Sequence, residues 1–160
     1  MATQLQIEGN DAPVSPTVNV DRLAAEKNMK WQVITVTVNR QGEHIKINDL
    51  AAVTNTRIRG IVLTTATEVA YKNLKRGYMD LTIDQQEVFP QDFDTQLILK
   101  LDECTLKQCM LACDFRADGS QITGNYYDRT PDAEVTQQTP FVPYSFKINL
   151  YCESKSQKKS

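Results

Sequence analysis

The sequence predicts an all-β fold, an antiparallel two-sheet sandwich of jelly-roll type with about eight strands. Three observations carry this. Short segments with apolar side chains at every second position recur along the chain, as in Gln32–Asn39, Met79–Ile83 and Tyr144–Cys152. Turn-forming pairs such as Gln41-Gly42 and Asp118-Gly119 separate them. One face of most segments is polar, the pattern of a sheet with one side in water.

With 160 residues, the chain is long enough to bury a core without help from metals or disulfides. Its 41% apolar and 24% charged contents are close to globular averages. Eighteen basic against twenty acidic residues argue against binding nucleic acid through a strong positive field. No apolar run approaches the roughly 20 residues of a membrane helix. The N-terminus, Met1-Ala-Thr-Gln-Leu-Gln-Ile-Glu, has neither the basic start nor the apolar stretch of a secretory signal. The expectation is therefore a protein that stays in a cytoplasm or is assembled there into something larger. Cys104, Cys109, Cys113 and Cys152 can pair in three ways, and in that compartment reduced thiols are the default, with disulfides second.

Residues 1–20 are polar, broken by Gly9, Pro13 and Pro16, and without period, which reads as a flexible arm. Asp21 can cap a short helix carrying Leu23, Ala24 and Met29. The sandwich itself is expected over 21–152, with a basic tail at 153–160.

In Gln32–Asn39, Ile34, Val36 and Val38 share a face. A hairpin at Gln41-Gly42 would set Val38 opposite Ile45, Val36 opposite Ile47 and His44 opposite Asn39. Two β segments, 57–67 and 78–84, then read as a central pair joined by a polar loop. In the first, Ile61 and Leu63 face one way and Ile58 and Val62 the other; in the second, Met79, Leu81 and Ile83 point inward. Asp84 to Glu87 is a tight turn into an aromatic hook of Phe89, Pro90 and Phe93, with Pro90 at an edge or a strand end. Thr95–Leu101 reads as a strand with Leu97, Leu99 and Leu101 inward.

Residues 106–115 fit either helical or strand spacing. A hairpin at Asp118-Gly119, placing Phe115 against Ile122, favours strand with a helical turn open near Thr105. The stretch 129–143 is a loop of the length that is usually functional or disordered. The last strand alternates Phe146, Ile148, Leu150 and Cys152 with Ser145, Lys147, Asn149 and Tyr151.

Candidate chemistry is sparse. Nucleophilic catalysis needs a base beside Ser or Cys, and the single histidine, His44, sits next to a turn. Asp80 and Asp84 lie two pleats apart on a wet face, unlike a working carboxylate pair. The cysteine gaps lack the paired knuckles of structural zinc, so no metal is expected. The six glycines are scattered singly, so no phosphate cradle or other cofactor site is expected. Tyr126, Tyr127, Trp31 and Tyr144 could form a sugar-stacking platform, which keeps a carbohydrate- or host-surface-binding module as the alternative function.

The segments Arg-Gly-Ile-Val-Leu-Thr-Thr-Ala-Thr (59–67) and Met-Asp-Leu-Thr-Ile-Asp-Gln-Gln-Glu-Val-Phe-Pro-Gln-Asp-Phe (79–93) resemble small β-sandwich virion proteins of tailed phages. The resemblance is particularly to phages that infect gut Bacteroidetes, including the crAss-like group. The resemblance spans the central third of the chain, with a looser fit at Asp118-Gly119-Ser120 and 143–148. It implies a non-enzymatic structural protein of the particle: an auxiliary capsid, head-fibre base or tail-adaptor protein, assembled in the host cytoplasm. Its partners would be other virion proteins or further copies of itself, with neither nucleic acid nor membrane involved. Extended segments that order on binding can bury large areas. Leu5, Ile7, Val14 and Val18 of the arm, and Pro131, Val135 and Phe141 of the long loop, are the candidate contact residues.

Overall fold

The computed structural model describes residues 28–155. The arm, its four candidate contact residues and the helix expected after Asp21 lie outside the described residues.

Among the described residues, eight strands form two antiparallel four-stranded sheets. In chain order they are β1 (Met29–Val38), β2 (His44–Leu50), β3 (Asn55–Thr64), β4 (Tyr78–Ile83), β5 (Gln86–Asp94), β6 (Leu111–Arg116), β7 (Gln121–Tyr127) and β8 (Tyr144–Ser154). One sheet has the order β1-β8-β3-β6 and the other β2-β7-β4-β5. Only β4 and β5 are consecutive neighbours in one sheet; every other connection crosses between layers. This is the winding of an eight-stranded jelly roll. Between the sheets lies one core, to which β1 contributes Val36 and Val38, β4 Met79, Leu81 and Ile83, and β8 Phe146, Ile148 and Leu150.

The winding corrects three expected pairings. The turn at Gln41-Gly42 forms, with Gly42 at φ +67°, but it carries the chain from one sheet to the other. Ile45 therefore pairs with Tyr126 and Ile47 with Gly124, and His44 lies opposite Tyr127 rather than Asn39. The turn at Asp118-Gly119, both residues at positive φ, likewise joins β6 to β7 across the layers. Phe115 consequently pairs with Ile58, and Ile122 with Asp49 and Ile83. Finally, β3 and β4 are in different sheets, and their connector is not a loop but helix α1 (Glu68–Leu74). Thr67 caps α1 by accepting from the Ala70 backbone N–H at 3.2 Å, and Ala70 and Leu74, one turn apart, are buried.

Local irregularities overturn three further expectations. A bulge between Ile58 and Gly60 in β3 breaks the two-residue alternation, so Ile58 joins Ile61 and Leu63 in the core. Thr95–Ile98 is a 3-10 turn and not a strand. Its buried members are Thr95, Ile98 and the following Leu99, while Leu97 and Leu101 stand 65% and 53% exposed. Thr95 earns its burial by donating its hydroxyl to the carbonyl oxygens of Leu74 and Gly77. In β8 the alternation is incomplete, since Asn149 and Tyr151 are buried as well. Trp31 packs on Tyr151 at 4.8 Å between ring centroids, and Asn149 donates to the Val62 carbonyl at 3.1 Å.

Other readings hold. Helix α2 (Leu106–Cys109) opens with a capping box between Thr105 and Gln108 and runs directly into β6, so both readings of this stretch are realised in sequence. Phe89 and Phe93 stack at 4.4 Å, and Pro90 lies on β5, the edge strand of its sheet. Asp84 (φ 51°) and Gln85 (φ 61°) form the two-residue β4–β5 hairpin, with Ile83 paired to Gln86. Two positive φ values are the I′ geometry, which favours glycine at the second position. Gln85→Gly is therefore expected to stabilise the fold by about 0.5–1 kcal/mol, read as a higher urea midpoint. A lower midpoint would contradict this account of the turn.

Candidate interaction surfaces

The predicted contact residues of the long loop fall together only in part. Val135 and Phe141 line one open cleft of about 230 Å³ with Val69, Arg76, Pro140 and Val142; Pro131 is exposed at the start of a 3-10 turn (Asp132–Glu134) and does not line it. Val69 and Val142 are 41% and 55% exposed, so the cleft has apolar lips. Phe141 is half-buried against the core, 6.2 Å from the Tyr144 ring. The loop is tethered to α1 through Glu134, whose carboxylate meets Arg76 at 2.7 Å and Lys72 at 3.4 Å. The Arg76 hydrogen bond holds the Glu134 carboxyl below the usual range.

At the root of this loop is a buried polar network that the sequence did not reveal. Asp128, 4% exposed, accepts from the Tyr144 hydroxyl at 2.6 Å, the Thr130 hydroxyl at 2.9 Å and the Gly42 backbone N–H at 2.8 Å. The hydroxyls of Tyr144 and Tyr126 lie 2.9 Å apart. Burial is the main force pushing both phenols above their usual pKa, and Asp128 adds to it. Tyr126 and Tyr144 are thus structural, and Trp31, on β1, belongs to the sheet opposite that of Tyr127. The sugar platform that Tyr126, Tyr127, Trp31 and Tyr144 could have formed is not assembled, and core packing, the commoner role of such side chains, takes Tyr126 and Tyr144.

A different aromatic row takes its place, on the outer face of the β2-β7-β4-β5 sheet. Register puts His44, Tyr127 and Tyr78 side by side. The rings stack at 4.3 Å and 4.7 Å, and Arg129 lies 5.2 Å from the centre of Tyr78. One pleat along, Lys46, Asn125 and Asp80 form the next row, and Asn48, Thr123 and Thr82 the third. His44, read from the sequence as a residue beside a turn, heads a strand and starts a cross-strand stack. Asn125 donates through Nδ2 to both Asp80 oxygens at 3.1 Å, leaving its Oδ1 to accept from His44 Nε2 at 2.7 Å. Asp84 is not part of this relay and sits in the hairpin turn.

All four cysteines are free thiols. Burial pushes Cys113 up to about 12 and Cys152 up to about 11, so both are protonated, weak nucleophiles at neutral pH. Only Cys152 is fully buried; its thiol donates to the Leu150 carbonyl at 3.4 Å. A hydrogen bond with Cys109 raises Cys104 as well. Among the described residues no group of three or more His, Cys, Asp or Glu side chains is placed to hold a metal ion. No helix among them is long and apolar enough to cross a membrane.

Fold and surfaces together define a jelly-roll sandwich with an apolar-lipped cleft beside its long loop and an ordered polar face on one sheet. No family model, curated protein or solved structure matches the chain.

Proposed function

We propose that this chain is a non-enzymatic structural protein of a tailed-phage particle, acting through contacts with other virion proteins or with copies of itself. The observation that carries the reading is the strand order, β1-β8-β3-β6 over β2-β7-β4-β5. That winding is shared by viral capsid domains and lectins. A fold hosts many functions, so the argument also rests on surface. Val69 and Val142 border the cleft that holds Val135 and Phe141, and exposed apolar side chains around a concavity suit a protein partner. The arm of residues 1–20, with Leu5, Ile7, Val14 and Val18, is the second contact element, and an auxiliary capsid, head-fibre base or tail-adaptor position suits both.

Two measurements test this. The purified chain should run in solution as an oligomer, or antibody against it should label assembled particles. Deleting residues 1–20, or replacing exposed Val142 by Lys, should leave the sandwich folded and strip the protein from particles. Incorporation at the wild-type level in both variants would count decisively against the reading.

A further inference from the structure

On the outer face of the β2-β7-β4-β5 sheet, the second and third rows line a shallow open cleft of about 330 Å³. That volume is at the low end for ligand sites, about 300–1,000 Å³. Its walls fall into two parts. On one side Asn125 and Asp80 are held by hydrogen bonds to each other and from His44, which stands outside the cleft in the stacked row with Tyr127 and Tyr78. Beyond them, Asn48, Thr82 and Thr123 present donors and acceptors that have no partner among the described residues. A ligand entering there meets rigid polar groups on one side and unused hydrogen-bonding capacity on the other.

Three features select its chemistry. The unused groups each both donate and accept, which matches hydroxyls, themselves donors and acceptors. Lys46 is the only cation in the cleft, against Asp80 within it and Glu87 beside Thr82 on the neighbouring strand, so anionic ligands are disfavoured. The lining lacks the apolar pocket that anchors a peptide side chain. The Tyr127 ring has His44 on one side and Tyr78 on the other, so a ligand is held through hydrogen bonds at the cleft floor and not by stacking on that ring. We propose that this cleft binds a neutral oligosaccharide. The inference is independent of a place in a phage particle.

The test uses the full chain, isotope-labelled, titrated with millimolar lactose, maltose, mannobiose and chitobiose, with sialyllactose as the anionic comparison. Amide and side-chain shifts read the site. At least one neutral sugar should shift Asn48, Thr82, Thr123 and Asn125 saturably, and sialyllactose should bind at least fivefold more weakly. Asn48→Ala and Thr123→Val together should weaken binding at least tenfold. Asn48→Ala alone should weaken it severalfold, which keeps the test valid if the double variant misfolds. Leu97→Gln, at an exposed position outside both clefts, should leave sugar binding at the wild-type level. The proposal is overturned if none of these sugars shifts the face, if sialyllactose binds as well as the neutral sugars, or if the Asn48 variant binds normally.

Discussion

Gly124→Ala is expected to cost about 3 kcal/mol, and to lower the melting temperature by about 10 °C. Adding a methyl group to a strand glycine ordinarily helps, by roughly 0.5–1 kcal/mol, because it restricts the unfolded chain. Here the sign reverses. Gly124 lies on β7, hydrogen-bonded between β2 and β4, with Ile47 and Leu81 as its register partners. A Cβ at this position would stand 2.2 Å from the Asp80 carbonyl oxygen and 3.2 Å from the Leu81 Cα. Those are backbone atoms of the neighbouring strand, so they can retreat only by opening the ladder. Gly60 is the internal comparison. Its added Cβ would meet the Met110 sulfur at 2.4 Å, the far part of an adaptable side chain that can swing away. Gly60→Ala should therefore stay within about 1 kcal/mol of wild type. Equal urea midpoints for the two variants would show that β7 and β4 are not packed as described.

Asp128→Ala should destabilise the fold by about 3–4 kcal/mol. Removing the carboxylate leaves the hydroxyls of Tyr144 and Thr130 and the backbone N–H of Gly42 without their acceptor, all around a site only 4% exposed. Three separate pieces of chain meet there: the β1–β2 turn, the end of β7 and the start of β8. Their loosening would also free the loop that carries Val135 and Phe141. Asp128→Asn keeps one acceptor oxygen and the shape, so its cost should fall between wild type and alanine. Thermal or urea unfolding of the three proteins reads the series directly. An alanine variant within about 1 kcal/mol of wild type would mean that water replaces the carboxylate and that the network is not a tether.

Much of the fold was readable before any coordinates. The alternation of Ile34, Val36 and Val38, of Met79, Leu81 and Ile83, and of Phe146, Ile148 and Leu150 marks strands whatever they pair with, and these side chains are core. Turn positions were equally legible, because Gly42 and Gly119 adopt positive φ for reasons local to the backbone. What misled was pairing. Val38 and Ile45 share the apolar character of hairpin partners, yet residues facing each other across a sandwich match in the same way. Helix α1 had a signal in Thr67 and the Ala70–Leu74 spacing, but at seven residues it is too short for periodicity to announce itself.

The candidate site was the least legible part. The aromatic residues named from sequence were sorted by tertiary structure into core (Tyr126, Tyr144), opposite sheet (Trp31) and outer face (Tyr127). His44, Asn125 and Asp80 are remote in sequence and touch only because β2, β7 and β4 are neighbours.

By itself, then, the sequence determined the strands that alternate regularly, with their inward faces, and where the backbone must turn, since each depends on side-chain period and local φ preference; the bulge that turns Ile58 inward and the 3-10 turn at Thr95–Ile98 follow no such period. The choice of neighbour for each strand, the buried Asp128 network and the ordered face around Asn125 were decided only by tertiary structure. Local chemistry can specify a turn without specifying the sheet to which the chain returns; the packing of two layers around one core makes that choice.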